Sequence, residues 1–179
     1  ADHEIVITAL KNNGLAFENA SEKLQADKTV VMEAVKIDYR CLQYATPELK
    51  ADRTICLAAV KNRGFALRYV TKELEADEEI VIEAVKNDGM ALEYASENLK
   101  ANKLIVMEAV KNNGCALKFA SQELKSVKEI VMEAVKNDGL ALEFAADEIK
   151  ENKEIVMEAI NNNGWALAYA SEKLQADHE

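Results

Sequence analysis

The sequence predicts an all-α fold, an α-solenoid (superhelical array) of seven 25-residue helix–turn–helix repeats. Three observations carry that prediction. The phrase Ile130-Val131-Met132-Glu133-Ala134-Val135-Lys136-Asn137-Asp138-Gly139-Leu140-Ala141-Leu142-Glu143-Phe144-Ala145 recurs, with substitutions, every 25 residues from Ile5 to Ala170. Apolar residues inside each copy follow helical spacing. All six glycines (Gly14, Gly64, Gly89, Gly114, Gly139, Gly164) stand at one place in the copy. Such a period overrides the expectation of one globular core for 179 residues, because repeats bury their apolar faces against neighbouring repeats.

The repeats run 1–25, 26–50, 51–75, 76–100, 101–125, 126–150 and 151–175, and 176–179 opens an eighth, so 1–179 reads as one array. Positions are numbered 1 to 25 within each repeat. Position 2 holds Asp2, Asp27, Asp52, Asp77, Asn102 and Asn152, with Val127 the exception. These are expected N-caps, since their side-chain oxygens accept from free amides of the first turn. The acids at position 4 (Glu4, Glu79, Glu129, Glu154) suit the positive end of the helix dipole. Positions 5, 6, 9 and 10 are apolar in every repeat, one core-facing stripe. Position 9 is Ala throughout, where a methyl allows a neighbouring backbone close. Glycine at position 14, after Asn-Asn or Asn-Asp, predicts a left-handed cap ending the helix near position 13. Tyr39 occupies that position in repeat 2, so repeat 2 is expected to turn differently or carry strain.

A second helix is expected from about position 15, with apolar positions 16, 17, 20 and 24, as in Ala91, Leu92, Ala95 and Leu99. Thr46-Pro47-Glu48-Leu49 predicts that positions 22–25 form a separate one-turn helix capped by position 21. The residue before Pro avoids the helical region, and Pro suits a first helical position. A single kinked helix is the alternative.

Composition limits the function. Hydrophobic residues make up 49% and charged residues 30%, and the net charge is −10, which argues against phosphate binding by clustered Lys and Arg. No apolar run approaches the roughly 20 residues that span a bilayer. The absence of an initiator Met and of a signal-peptide pattern suggests a processed chain or an excised fragment. Cys41, Cys56 and Cys115 occupy three different positions, neither a disulfide framework nor a metal cluster, and a reducing, intracellular setting is favoured. His3 and His178 are isolated copies at the two ends. No nucleophilic triad, HExxH or phosphate loop is present, so no enzyme activity, cofactor or metal is expected.

The phrases EIVMEAVKNDGLALEFA (129–145) and ALRYVTKELEADEEIVIEAVKNDG (66–89) resemble tandem repeats of a family known only as a domain of unknown function, seen in protist and bacterial effector-type proteins. The resemblance covers essentially the whole chain. It implies an all-helical array and brings no catalytic residue. Repeat 2 departs most, at Ile37, Tyr39 and Arg40. Position 13 is Asp in the even repeats and Asn or Arg in the odd ones, which suggests a 50-residue pair as the unit.

Several rows could carry recognition. Positions 4, 8 and 11 read as a solvated face, where the Glu row (Glu33, Glu83, Glu108, Glu133, Glu158) is offset by the Lys row. The Asn row at position 12 reads as satisfying local backbone groups at the helix end. The Asn-Gly and Asp-Gly turns resemble those of the TAL-effector DNA readers, but the shorter period and the acidic charge leave modular nucleic-acid binding a remote alternative. Aromatics at position 19 read as inter-repeat packing. Position 15 varies most among the largely apolar positions: Leu15, Arg40, Phe65, Met90, Cys115, Leu140, Trp165. It lies at the margin of the core stripe, as either a tolerant boundary or a recognition groove. The candidate protein-binding residues are Tyr39, Arg40, Phe65, Met90, Leu140 and Trp165, with Phe65 and Trp165 as anchors. The expected function is a non-enzymatic scaffold for protein–protein interaction, with the partner unknown. The alternative is a structural protein that self-associates head to tail into filaments or closed rings through Ile5, Val6, Leu167 and Leu174.

Overall fold

A computed structural model describes residues 3–176. The expected N-cap Asp2, the histidine His178 and most of the opening eighth repeat lie outside the described residues. Among the described residues every regular element is helical, and repeats adjacent in sequence pack side by side, so the fold is an all-α repeat solenoid. The residues form two compact units, Ala1–Asn87 and Asp88–Glu179. In the first, the long helices of repeats 1–4 stack in order, and so do the short helices of repeats 1–3. In the second, the long helices of repeats 5–7 stack, beside the short helices of repeats 4–7.

Each long helix covers positions 3–12, as in Lys128–Asn137 and Lys153–Asn162. Its start is the expected cap: Asp27 Oδ1 accepts from the amides of Thr29 (2.8 Å) and Val30 (3.2 Å), and Asn102 and Asn152 do the same in their repeats. Val127 provides no side-chain cap. The apolar stripe is fully covered inside the stacks, as at Ile130, Val131, Ala134 and Val135. Position 21 starts a separate one-turn helix, seen as Pro47–Lys50 and Glu97–Lys100, though repeat 3 has a 3-10 turn there, Leu74–Ala76. The expected hydroxyl cap is made only by Ser121, which accepts from the Leu124 amide at 3.4 Å. Position 21 instead joins repeats through the main chain: the amides of Ser121, Ala146 and Ser171 donate to the carbonyls of Lys100, Lys125 and Lys150.

The turn between the helices differs from expectation. No described residue, glycine included, has a positive φ. The long helix ends on an extended residue at position 13, and glycine is the first residue of a 3-10 helix, as in Gly114–Phe119. Glycine is required for space. A Cβ on Gly114 would overlap the carbonyl oxygen of Ala134 in the next repeat and come to 3.0 Å from the Asp138 nitrogen. That carbonyl is fixed, since it accepts from the Asp138 amide at 2.9 Å. Gly89 and Gly139 meet Ala109 and Ala159 in the same way. The close approach expected at the position 9 alanines is therefore made by a neighbour's glycine. Tyr39 consequently carries no backbone strain, and the second repeat keeps the common turn.

The Asn row is likewise not local. Asn137 Nδ2 donates to the Lys111 carbonyl (2.9 Å) and its Oδ1 accepts from the Gly114 amide (2.7 Å), both in the preceding repeat. Asn162 clamps Lys136 and Gly139 identically, and Asn87 clamps Lys61 and Gly64. Asn12 bonds within its own helix, to Thr8. From repeat 3 onward the row is a ladder that ties a repeat to the one before it.

Two glycine substitutions separate lack of space from backbone freedom. Gly114→Ala should lower stability by about 1–3 kcal/mol through overpacking. A Cβ on Gly164 meets nothing within 4 Å, so Gly164→Ala should be neutral or stabilising by about 0.4–1 kcal/mol. Urea unfolding of the two variants measures both; equal losses would show that glycine is needed for its backbone freedom.

Candidate protein-binding surface

The variable position 15 is held by its neighbour at position 13. Asp38, Asn113, Asp138 and Asn163 accept from the backbone amides of Arg40, Cys115, Leu140 and Trp165 at 2.9–3.0 Å, capping the 3-10 helix. Asp and Asn do the same work there, so the even–odd alternation has no structural counterpart. In repeat 5 the position 15 side chain reaches position 13 of the following repeat: Cys115 Sγ lies 3.2 Å from Asp138 Oδ2. Arg40, Phe65, Met90, Cys115 and Leu140 are half-buried, whereas Leu15 and Trp165 are exposed. Trp165 is 79% exposed because no described repeat covers it. Met90, Leu140 and Trp165 form a row along the second unit, while Arg40 and Phe65 belong to the first.

Of the residues considered for end contacts, Ile5, Leu167 and Leu174 are at least partly open, Ile5 at 66%. Val6 is not available. It is buried, at 7% exposure.

The regular seam is broken between repeats 2 and 3. Tyr39 stands where the other repeats have glycine, and its amide reaches Asn62 Oδ1 at 3.3 Å, compared with 2.7–2.8 Å for Gly64, Gly89, Gly114 and Gly139. The opened seam leaves a hollow of about 480 Å³ lined by Ile37, Asp38, Tyr39, Arg40, Asn62 and Arg63. A second hollow of about 330 Å³, lined by Lys36, Ala58, Lys61 and Asn62, adjoins it at Asn62. Tyr39 also packs on Tyr69, with ring centroids 6.4 Å apart. The structure thus brings Tyr39 and Arg40 together and adds Lys36, Asn62 and Arg63, which sequence reasoning did not single out. Their signals were present: Ala58 interrupts the Glu row, and Arg63 is the one cation at position 13.

Arg40 Nε and Nη2 grip Asp38, with Nη2–Oδ2 at 2.6 Å. These hydrogen bonds hold the Asp38 carboxyl below the usual carboxylate range. A depressed carboxylate stabilises the fold above its unfolded pKa and loses that contribution only as pH falls through the folded value, so the pair is intact at neutral pH.

A family described as a domain of unknown function (DUF4116) matches residues 2–50, 27–75, 77–125 and 128–175. The chain belongs to this family. Each DUF4116 match spans two repeats, but the matches begin in repeats 1, 2, 4 and 6, so two consecutive repeats fit in either phase. No curated protein and no solved structure matches the chain.

Among the described residues of this DUF4116 array, no group of His, Cys, Asp and Glu is arranged to hold a metal ion, and no helix is long and apolar enough to cross a membrane. The cysteines are free. Burial pushes the Cys41 and Cys56 thiols up to about 12, and burial with the adjacent Asp138 pushes Cys115 to about 11. All three thiols should therefore stay protonated near neutrality and resist iodoacetamide in the folded chain, since the thiolate is the nucleophile. They should react together once urea unfolds the chain and the pKa returns to about 8.5. Intact-mass analysis reads this out; rapid native labelling of Cys115 at pH 7.5 would contradict its environment.

Proposed function

We propose that this chain is a non-enzymatic scaffold that binds a partner protein along its repeat-built surface. One observation carries the reading. The Gly, Ala, Asn and Leu positions are consumed in joining repeats, whereas position 15 stays at the rim, half-open, and differs in chemistry from repeat to repeat. A fixed scaffold with one varying, accessible row is the arrangement by which repeat proteins specify partners. Phe65, Met90, Leu140 and Trp165 supply the large apolar contacts that dominate interface energetics, and Arg40 supplies a planar cation.

Captured partner should be lost when the row is truncated. Phe65→Ala and Leu140→Ala are expected to weaken capture about tenfold, equivalent to about 1.4 kcal/mol. Trp165→Ala is expected to leave urea unfolding unchanged, given its exposure. Capture of the same partner by every position 15 alanine variant would remove the reading.

End-to-end self-association is the second reading. It is supported by the exposure of Ile5, Trp165 and Leu167, apolar side chains at positions better covered in interior repeats. Light scattering should then show mass rising with concentration, and a strictly monomeric chain at high concentration would exclude it.

A further inference from the structure

We propose that the open seam between repeats 2 and 3 is a docking groove for an acidic peptide segment, whose carboxylates are held by Lys36, Arg40, Lys61 and Arg63. This rests on the protein-binding reading and assigns it a place and a partner chemistry. Arg40 and Arg63, from consecutive repeats, line the same hollow. Arg40 is turned onto its own Asp38. Nη1 still keeps its donors, and a guanidinium matches a carboxylate in a bidentate way.

An acid is also missing at this seam. Position 8 is Glu in repeats 2, 4, 5, 6 and 7, but Ala58 stands there in repeat 3. The adjoining hollow is consequently walled by Lys36 and Lys61 with no carboxylate in its lining. Lys61 Nζ meets Glu83 only at 4.0 Å. Asp38 is the single acid across both hollows. Residues 26–75 hold nine Lys and Arg against seven Asp and Glu, whereas the whole chain holds 22 against 32. Positive charge is concentrated at the one seam that a bulky residue holds open.

The lining also selects among anions. Ile37, 37% exposed, and Tyr39 form an apolar wall beside the cations, suited to an apolar residue flanking a carboxylate. A nucleic acid would extend past this short groove onto the Glu33 and Glu83 helices, where its phosphates meet carboxylates. A peptide ends where the cations end. At physiological ionic strength charges are screened over about 8 Å, so the local cations outweigh the distant net charge.

The test uses the full chain and three labelled probes: a peptide of Asp and Glu around a single Phe, its Asn and Gln counterpart, and an oligothymidylate. The acidic peptide should bind, weaken as salt rises, and exceed its neutral counterpart at least about tenfold. Lys36→Gln combined with Arg63→Gln should cut that binding about tenfold, and Ala58→Glu, which restores the missing acid, should do the same. Lys111→Gln, in the same row at a closed seam, should change nothing. Urea unfolding of these surface variants checks that the fold is intact. Equal binding of acidic and neutral peptides, preference for the oligothymidylate, or insensitivity to the seam variants overturns the groove. If the groove fails while position 15 alanines still abolish partner capture, the broader reading stands; if capture survives those alanines, the broader reading itself has failed.

Discussion

The structure depends on one contact: in repeats 4, 5 and 6 the glycine lies directly against the alanine carbonyl of the next long helix. Main chain meets main chain there, and neither side can yield, because the carbonyl is already committed to closing its own helix. The Asn clamp locks the same point, bonding the amide of that glycine and a carbonyl one turn earlier. Together they set the spacing and registry of the stack, and the buried Ile, Val and Leu stripes fit because the backbones have been fixed that close. The apolar positions supply the driving force. The Gly–Ala approach and the Asn ladder supply the geometry.

That division explains why the surface is free to vary. A residue such as Leu140 can be Met, Cys or Phe in another repeat, since its side chain lies at the rim of a seam already closed by other groups. The scaffold also tolerates a local exception. Tyr39 keeps the common 3-10 turn and is accommodated by opening the seam, at the cost of a stretched bond to Asn62. Ile37 removes the clamp that would have tied repeat 2 to repeat 1. Three neighbouring departures, Ile37, Tyr39 and Arg40, line the hollow at the seam with repeat 3.

Much of this was legible in the chain. The period, the N-caps, the core stripe and the one-turn helix announced by Thr46-Pro47 all follow from local rules, and each is found. Glycine was misread because it has two uses, access to positive φ and absence of a Cβ, and a sequence does not separate them. Tyr39 held the clue, since a Tyr in the same turn is incompatible with an obligatory left-handed residue. The Asn row was misread because its bonding partners sit in the preceding repeat, not one turn away. Arg63 and Ala58 looked like single substitutions until stacking set them beside Arg40 and Lys36 of the preceding repeat.

The sequence by itself determined the helical units, their number and their faces, because helix periodicity and capping act within a few residues of chain. It also marked which positions vary and that repeat 2 departs from the pattern. Only the tertiary structure decided what the glycines and asparagines are for, and that Lys36, Arg40, Lys61 and Arg63 line adjoining hollows. The physical reason is distance along the chain. These relations join residues about one repeat apart, and they exist only after stacking brings one backbone against the next.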